Sequence, residues 1–209
     1  TGQMGRCHKT PNHGITPYVY GVSGRQWDDV PRQAELLKSE HGDEVDAILV
    51  FIGTNDFNHG VPVGEWYTEA EEEVMFARGE KEKLVVRKKR TPIMSNETYK
   101  GRINIGITRL KELFPDKQIV LLTPLHRCTE NEPNPGTGLV LKDYVEALRE
   151  VAEYYSLPVL DLYKTSGMQP NVPIIKYTYM PDGLHPNDAG HRILAEKIVA
   201  FLQNVLYNQ

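Results

Sequence analysis

One short stretch carries residue types suited to acid–base chemistry. "YMPDGLHPND", residues 179–188, places Asp182 and His185 three residues apart in a proline- and glycine-containing loop. Imidazole exchanges protons near neutral pH, and a nearby carboxylate can hold one ring nitrogen protonated, so this pair could serve as base and orienter in acyl transfer. The simpler alternative is a turn followed by a helix, with Asn187 or Asp188 as the cap.

Two further polar loops come directly after short apolar runs. They are "GVSGR" at 21–25 and "GTND" at 53–56. Open α/β sheets place their sites at the carboxyl ends of the strands, so both loops and the 179–188 loop could meet at one edge. "GTND" alone is equally well explained as a turn. The three loops together, in this order, indicate a functional site.

The elements that would position these loops alternate along the chain. Continuous apolar runs predict strands buried on both faces, and 3.6-residue periodicity predicts amphipathic helices. The predicted strands are 15–24, 46–53, 117–124 and 157–163, and the predicted helices are 27–42, 96–115, 141–156 and 187–206. This alternation predicts an α/β sandwich built on a parallel sheet.

Composition and charge exclude several classes of protein. The chain has 209 residues, 40% of them hydrophobic, and a formal net charge of −4, so nothing favours nucleic acid as a partner. The longest apolar run, 47–53, is too short to cross a bilayer, and we expect no membrane partner. Cys7 and Cys128 do not form a disulfide framework, although one bridge stays open. The compartment is also open: secreted or periplasmic if a leader has been removed, cytoplasmic otherwise. The oligomeric state is not predicted.

Residues 57–95 break the alternation because they are long for a connection. The segment "EVMFARGEKEKLVVRKK" has two extended arms around "RGEKE", which predicts a hairpin insertion, as a lid or rim, in a single domain spanning 1–209. Trp66, just before the hairpin, could pack against the acyl or alcohol part of a substrate, or simply anchor the insertion.

The three loops resemble the sequence blocks of an SGNH hydrolase of the GDSL esterase–lipase family, over essentially the whole chain. Gly24 lies at the glycine position, Asn55 at the asparagine position, and "DGLHPN" matches the last block with Asp182 and His185. The resemblance implies a flavodoxin-like three-layer α/β/α sandwich with a parallel sheet of order 2-1-3-4-5, in which the first strand is missing from residues 1–209.

The resemblance also implies roles for these residues. His185 would be the base and Asp182 its orienter, while the Gly24 N–H and the Asn55 amide would form the oxyanion hole. Asp56 would orient its loop rather than react. We therefore expect a serine esterase with no cofactor, acting on small-molecule or glycan esters, with acetyl or other short-acyl esters of carbohydrates favoured. The alternatives are a lipase, lysophospholipase or thioesterase of the same family, or a non-catalytic glycan-binding relative.

The family's first block, Gly-Asp-Ser, is absent from residues 1–209. None of the serines follows a buried strand in that motif; they are Ser23, Ser39, Ser95, Ser156 and Ser166. We expect the natural protein to begin before Thr1, with a buried strand that ends in the nucleophilic serine. The alternative is a degenerate homologue that lacks the block.

Other candidate ligands are weaker. "CHKTPNH" at 7–13 and "HRC" at 126–128 contain soft ligands, but their spacing matches no zinc site, and we expect no metal. His126 follows the predicted strand 117–124 and could line the substrate pocket, or be an ordinary loop histidine.

Overall fold

The computed structural model describes residues 14–42, 44–78 and 81–206. A 3-10 turn, Trp27–Asp29, leads into α1. The strands are β1 (Ala47–Phe51), β2 (Tyr67–Arg78), β3 (Lys81–Pro92), β4 (Gln118–Leu122) and β5 (Val159–Leu160). The helices are α1 (Val30–His41), α2 (Thr54–Asn58), α3 (Tyr99–Leu113), α4 (Leu141–Tyr155), α5 (Leu162–Thr165), α6 (Pro173–Tyr179) and α7 (Asp188–Leu206). Within these ranges no helix combines the length and apolar character needed to cross a membrane.

Three strands form a parallel sheet in the order β1-β4-β5. β1 and β4 pair over their full length, from Ala47 opposite Gln118 to Phe51 opposite Leu122. Because parallel strands need crossover connections, α3 and α4 occupy the intervals between successive strands. The predicted α/β class with a parallel sheet is confirmed.

Alternate side chains of β4 enter two different core clusters, which is the basis of the layered architecture. Ile119 and Leu121 join residues of α1, α3 and α4 in the larger cluster. Val120 and Leu122 face the opposite way and join residues of α7 in the smaller cluster. Since successive side chains of a strand point to opposite faces, β4 is covered by helices on both sides, as its uninterrupted apolar run indicates.

Three strand predictions are wrong in detail. Residues 15–22 form no strand and Val19 is 85% exposed, because no strand of the described ranges pairs with their backbone groups. β1 was predicted to be buried on both faces, yet Leu49 and Phe51 are exposed and belong to neither core cluster. β5 is also shorter than the predicted 157–163, since the Asp161 side chain caps the helix that begins at Leu162.

The predicted hairpin is confirmed as the antiparallel pair β2–β3. Acidic residues of β2 form ion pairs with basic residues of β3, as in Glu72–Arg87 and Glu69–Arg90. The base of the hairpin rests on a buried amide, because Asn104 Nδ2 donates to the carbonyl oxygens of Trp66 (2.8 Å) and Ile93 (2.9 Å). The ion pairs therefore favour the pairing of β2 with β3, and Asn104 of α3 holds the base of the hairpin in place.

Candidate active site

Asp182 and His185 form a hydrogen-bonded pair in the loop between α6 and α7. Asp182 Oδ2 lies 2.7 Å from His185 Nδ1. The other carboxylate oxygen, Oδ1, accepts the backbone N–H groups of His185 (2.7 Å) and Leu184 (2.8 Å). These donors, the His185 backbone N–H first, hold the pKa of Asp182 well below its usual range, so the carboxylate is ionised beside the imidazole.

The loop is held from both sides by backbone hydrogen bonds. Gly183 has φ 75° and its carbonyl accepts the N–H of Cys128 at 2.9 Å. A Cβ at Gly183 would lie 2.6 Å from Cys128 Sγ, so a glycine is required by both conformation and space. After the pair, the Asn187 N–H donates to the carbonyl of Tyr179 at 2.8 Å and closes the loop before α7.

Asn55 lies in the short helix α2, directly after β1. The chain enters α2 through Gly53 at φ 127°, where a side chain would collide with the Tyr99 hydroxyl. Asn55 Nδ2 donates to the carbonyl oxygen of Arg25 at 3.2 Å. Gly24, at φ 80°, immediately precedes Arg25, so the structure brings the predicted glycine and asparagine blocks together.

Asp56, the residue after Asn55, stabilises the contact between the glycine and asparagine blocks. It is fully buried and accepts the Trp27 N–H at 3.1 Å and Arg102 Nη1 at 3.0 Å. Burial raises the pKa of Asp56 to about 6, against the opposing effect of Arg102. These contacts tie the 24–27 segment and α3 to α2, which agrees with an orienting role.

The loop after β4 links the asparagine block to the loop that carries Asp182 and His185 through two consecutive residues. Arg127 Nη1 donates to Asn58 Oδ1 at 2.5 Å, at the end of α2. Cys128 N donates to Gly183 O in the loop that carries His185. The segments that follow β1 and β4 therefore contact each other, and the one after β4 also contacts the loop between α6 and α7; the carboxyl ends of β1 and β4 lie at one edge of the sheet.

Two predicted substrate-binding residues make other contacts. Trp66 is 7% exposed at the base of the hairpin, and its Nε1 donates to Glu150 at 2.5 Å, which is the anchoring alternative. His126 lies on the loop after β4, but its ring packs on Tyr163 with a centroid distance of 3.7 Å. Its Nδ1 lies 2.6 Å from the buried carboxylate of Glu130, so the imidazole is largely engaged.

A polar cavity of about 150 Å³ lies beside α2. It is lined by polar and apolar groups, namely Phe57, Asn58, Arg127, Thr129, Glu132, Pro133, Asn134 and Pro135. Sequence reasoning did not identify this cavity, because its walls come from segments far apart in the chain.

Within the described ranges, no group of three or more His, Cys, Asp and Glu residues is arranged to hold a metal ion. Cys7 lies outside the described residues.

The serine hydroxyls of the described segments do not complete a triad. Ser39 Oγ donates to the Leu36 carbonyl, and Ser95 and Ser166 accept nearby backbone N–H groups. Ser23 lies in the turn before Gly24, and Ser156 ends α4. Among the described residues, His185 Nε2 forms no hydrogen bond, and the His185 side chain is 75% exposed.

Comparisons with known proteins agree with this architecture. A sequence profile of the GDSL-like Lipase/Acylhydrolase family matches residues 4–193. No curated protein sequence gives a significant match.

Several solved structures share the fold. A protein from Lactobacillus plantarum is 25% identical, with a TM-score of 0.60 over 82% of this chain and 72% of that chain. A possible lipase from Chitinophaga pinensis is 20% identical, with a TM-score of 0.54 over 87% of this chain and 80% of that chain. A carbohydrate esterase of family 3 from Talaromyces cellulolyticus is 16% identical, with a TM-score of 0.58 over 96% and 79% of the two chains.

Proposed function

Because the chain belongs to the GDSL-like lipase/acylhydrolase family, we propose that it is a serine esterase that works through an acyl-enzyme intermediate. The observation that carries this proposal is the pair His185–Asp182, in which the carboxylate holds Nδ1 and leaves Nε2 open. An imidazole held in that way can take a proton at Nε2 and return it later, as general base and then general acid.

The proposed reaction has two matched halves. A serine Oγ attacks the ester carbonyl carbon while His185 Nε2 takes the hydroxyl proton. The bond between the carbonyl carbon and the alcohol oxygen then breaks, and the alcohol leaves with that proton. Water attacks the acyl-enzyme with His185 again as base, and the acid and the free serine are released. Asp182 stabilises the imidazolium formed in each half.

The oxyanion formed in each half needs donors that are already in place. We assign the Asn55 side-chain amide and the Gly24 backbone N–H to this role. The hydrogen bond from Asn55 to the Arg25 carbonyl supports the assignment, because it places the amide beside the glycine block and uses only one of its two N–H bonds.

We propose that the nucleophile is a serine at the end of a Gly-Asp-Ser strand, and that this strand is not part of residues 1–209. The support is twofold. The described serines are not bonded to His185, and β1 has exposed Leu49 and Phe51 beside an edge that no described strand occupies. A parallel strand that paired with β1 on this side would end beside the carboxyl end of β1, where the chain continues to Asn55.

The substrate proposal rests on the cavity beside α2. Five of its eight lining side chains are polar and supply amide, guanidinium, carboxylate and hydroxyl groups, while Phe57, Pro133 and Pro135 form the apolar part. We therefore propose short-acyl esters of a hydroxyl-rich alcohol, such as acetylated carbohydrate, with the sugar in this cavity. The name of the Talaromyces structure agrees with this class, although its likeness extends to the fold alone.

A fluorophosphonate probe on the full-length protein tests the proposal. We expect stoichiometric labelling of one serine, and peptide mapping then identifies that residue. His185→Ala should fold, yet lose both labelling and hydrolysis of p-nitrophenyl acetate. A wild-type rate in folded His185→Ala would contradict the assignment of the base, and a label on Ser23 would contradict the proposed source of the nucleophile.

Turnover of esters with acyl lengths from acetate to decanoate tests the substrate class. We expect the highest turnover for acetate.

A further inference from the structure

Three side chains at the end of α2 form a hydrogen-bonded chain with a fixed direction. Arg127 Nη1 donates to Asn58 Oδ1 at 2.5 Å. Asn58 Nδ2 donates to Asn55 Oδ1 at 3.3 Å, and Asn55 Nδ2 donates to the Arg25 carbonyl at 3.2 Å. Each amide therefore accepts through its oxygen and donates through its nitrogen.

The direction follows from the chemistry of the two ends. A guanidinium has donors and no acceptor, so whichever amide atom faces Arg127 must be the oxygen. This places the Asn58 nitrogen toward Asn55, which must then present its own oxygen. At the other end a backbone carbonyl can only accept, so it also requires the Asn55 nitrogen.

The backbone that carries these amides is fixed separately. Asn134 Nδ2 donates to the carbonyl oxygens of Phe57 (2.8 Å) and Asn58 (3.2 Å), which holds the last turn of α2. Arg127 itself is held by its Nε donating to Thr129 Oγ1 at 3.0 Å. The chain of amides thus connects two anchored segments.

We propose that Asn58 and Arg127 are positioning residues that keep the Asn55 amide turned with its NH2 group toward the oxyanion. The inference deepens the proposed function and rests on it, since it concerns the donor that the hydrolysis requires. With the amide reversed, its carbonyl oxygen would face the developing negative charge, and the donor would be replaced by a repulsive dipole.

Asn58→Asp is the direct test because it is nearly isosteric and lies on an exposed position. The new carboxylate still accepts from Arg127, but it cannot donate to Asn55 and instead attracts the Asn55 NH2. We expect kcat for p-nitrophenyl acetate to fall by about 10- to 100-fold, up to the loss for removing one oxyanion donor, with KM unchanged. Arg127→Met should lower kcat in the same direction, and Arg127→Lys, which keeps a donor without an acceptor, should restore most of it.

A double substitution separates positioning from plain electrostatic repulsion by the new charge. In the background of Asn55→Ala, Asn58→Asp should have no further effect on kcat, since the amide it acts through is gone. The inference is overturned if Asn58→Asp has wild-type kcat while Asn55→Ala is slow, or if its full effect persists in the Asn55→Ala background. A wild-type kcat in Asn55→Ala alone would instead overturn the oxyanion assignment, and this inference with it.

Discussion

Replacing Asp182 with asparagine should reverse the tautomer of His185 while leaving the loop in place. In the native loop, Oδ1 of Asp182 accepts two backbone N–H groups and Oδ2 faces His185 Nδ1. Only the oxygen of an asparagine side chain can accept those two N–H groups, so its NH2 group must face Nδ1. Nδ1 then becomes an acceptor, and the imidazole proton moves to Nε2.

An imidazole protonated at Nε2 cannot take the proton of a nucleophile. The same substitution in a Ser-His-Asp triad with intact geometry lowers kcat by about 10⁴, and we expect a loss of that order for Asp182→Asn. KM should change little because the substituted atom lies behind the imidazole, away from the substrate. Because the hydrogen bonds from Leu184 and His185 remain, the free energy of unfolding should also be close to that of the wild type.

The assay is steady-state hydrolysis of p-nitrophenyl acetate at neutral pH, together with urea denaturation of each variant. Asp116→Asn is the matched control, since Asp116 is an exposed carboxylate in the turn before β4, at the opposite end of that strand from the loop that carries His185. A loss in kcat of less than about 10-fold for folded Asp182→Asn would refute the reversed tautomer, for which a far larger loss is expected.

Three other outcomes follow from particular contacts. Asn104→Ala should lower the free energy of unfolding in urea by about 2–5 kcal/mol, because it leaves the carbonyls of Trp66 and Ile93 and the hydroxyl of Tyr155 without the buried amide that they contact. Tyr155→Phe, which removes one of these bonds, should cost less. Burial raises the pKa of Asp56 to about 6 from its ordinary value of 3.8. The contribution of Asp56 to stability is therefore fully present below pH 3.8 and is lost as the pH rises through 6. Asp56→Asn should flatten this part of the profile of unfolding free energy against pH. Shortening the hairpin between Met75 and Leu84 should leave p-nitrophenyl acetate turnover unchanged, and an equal loss on small and bulky esters would contradict a role confined to substrate choice.

The sequence predicts the elements whose stability is local. The helix α4 and the buried strand β4 have strong periodic or continuous apolar patterns, and the opposite charges of β2 and β3 specify their pairing. Residues 15–22 were assigned wrongly because a strand exists only through its neighbours, and alternation in one segment says nothing about whether a partner is present.

The same distinction between local and long-range contacts applies to the candidate site. Asp182 and His185 could be paired from sequence, since only two loop residues separate them. The contacts of Arg127 could not be predicted, because they join segments that are far apart in the chain and depend on side-chain direction at the sheet edge. Trp66 carried no local signal either, and only the packing of the hairpin base against α4 assigns it an anchoring contact.

The two halves of the proposed site are coupled through adjacent residues of one loop. Arg127 contacts Asn58 through its side chain, while Cys128 contacts Gly183 through its backbone. Because the Arg127 guanidinium is also held by Thr129 Oγ1, the proposed oxyanion side and the proposed base side are both anchored to residues 127–129. Both contacts depend on the direction in which the chain leaves β4. This loop therefore helps to set the separation between the proposed base and the proposed oxyanion donor, together with the bonds that tie α2 to Trp27 and Arg102.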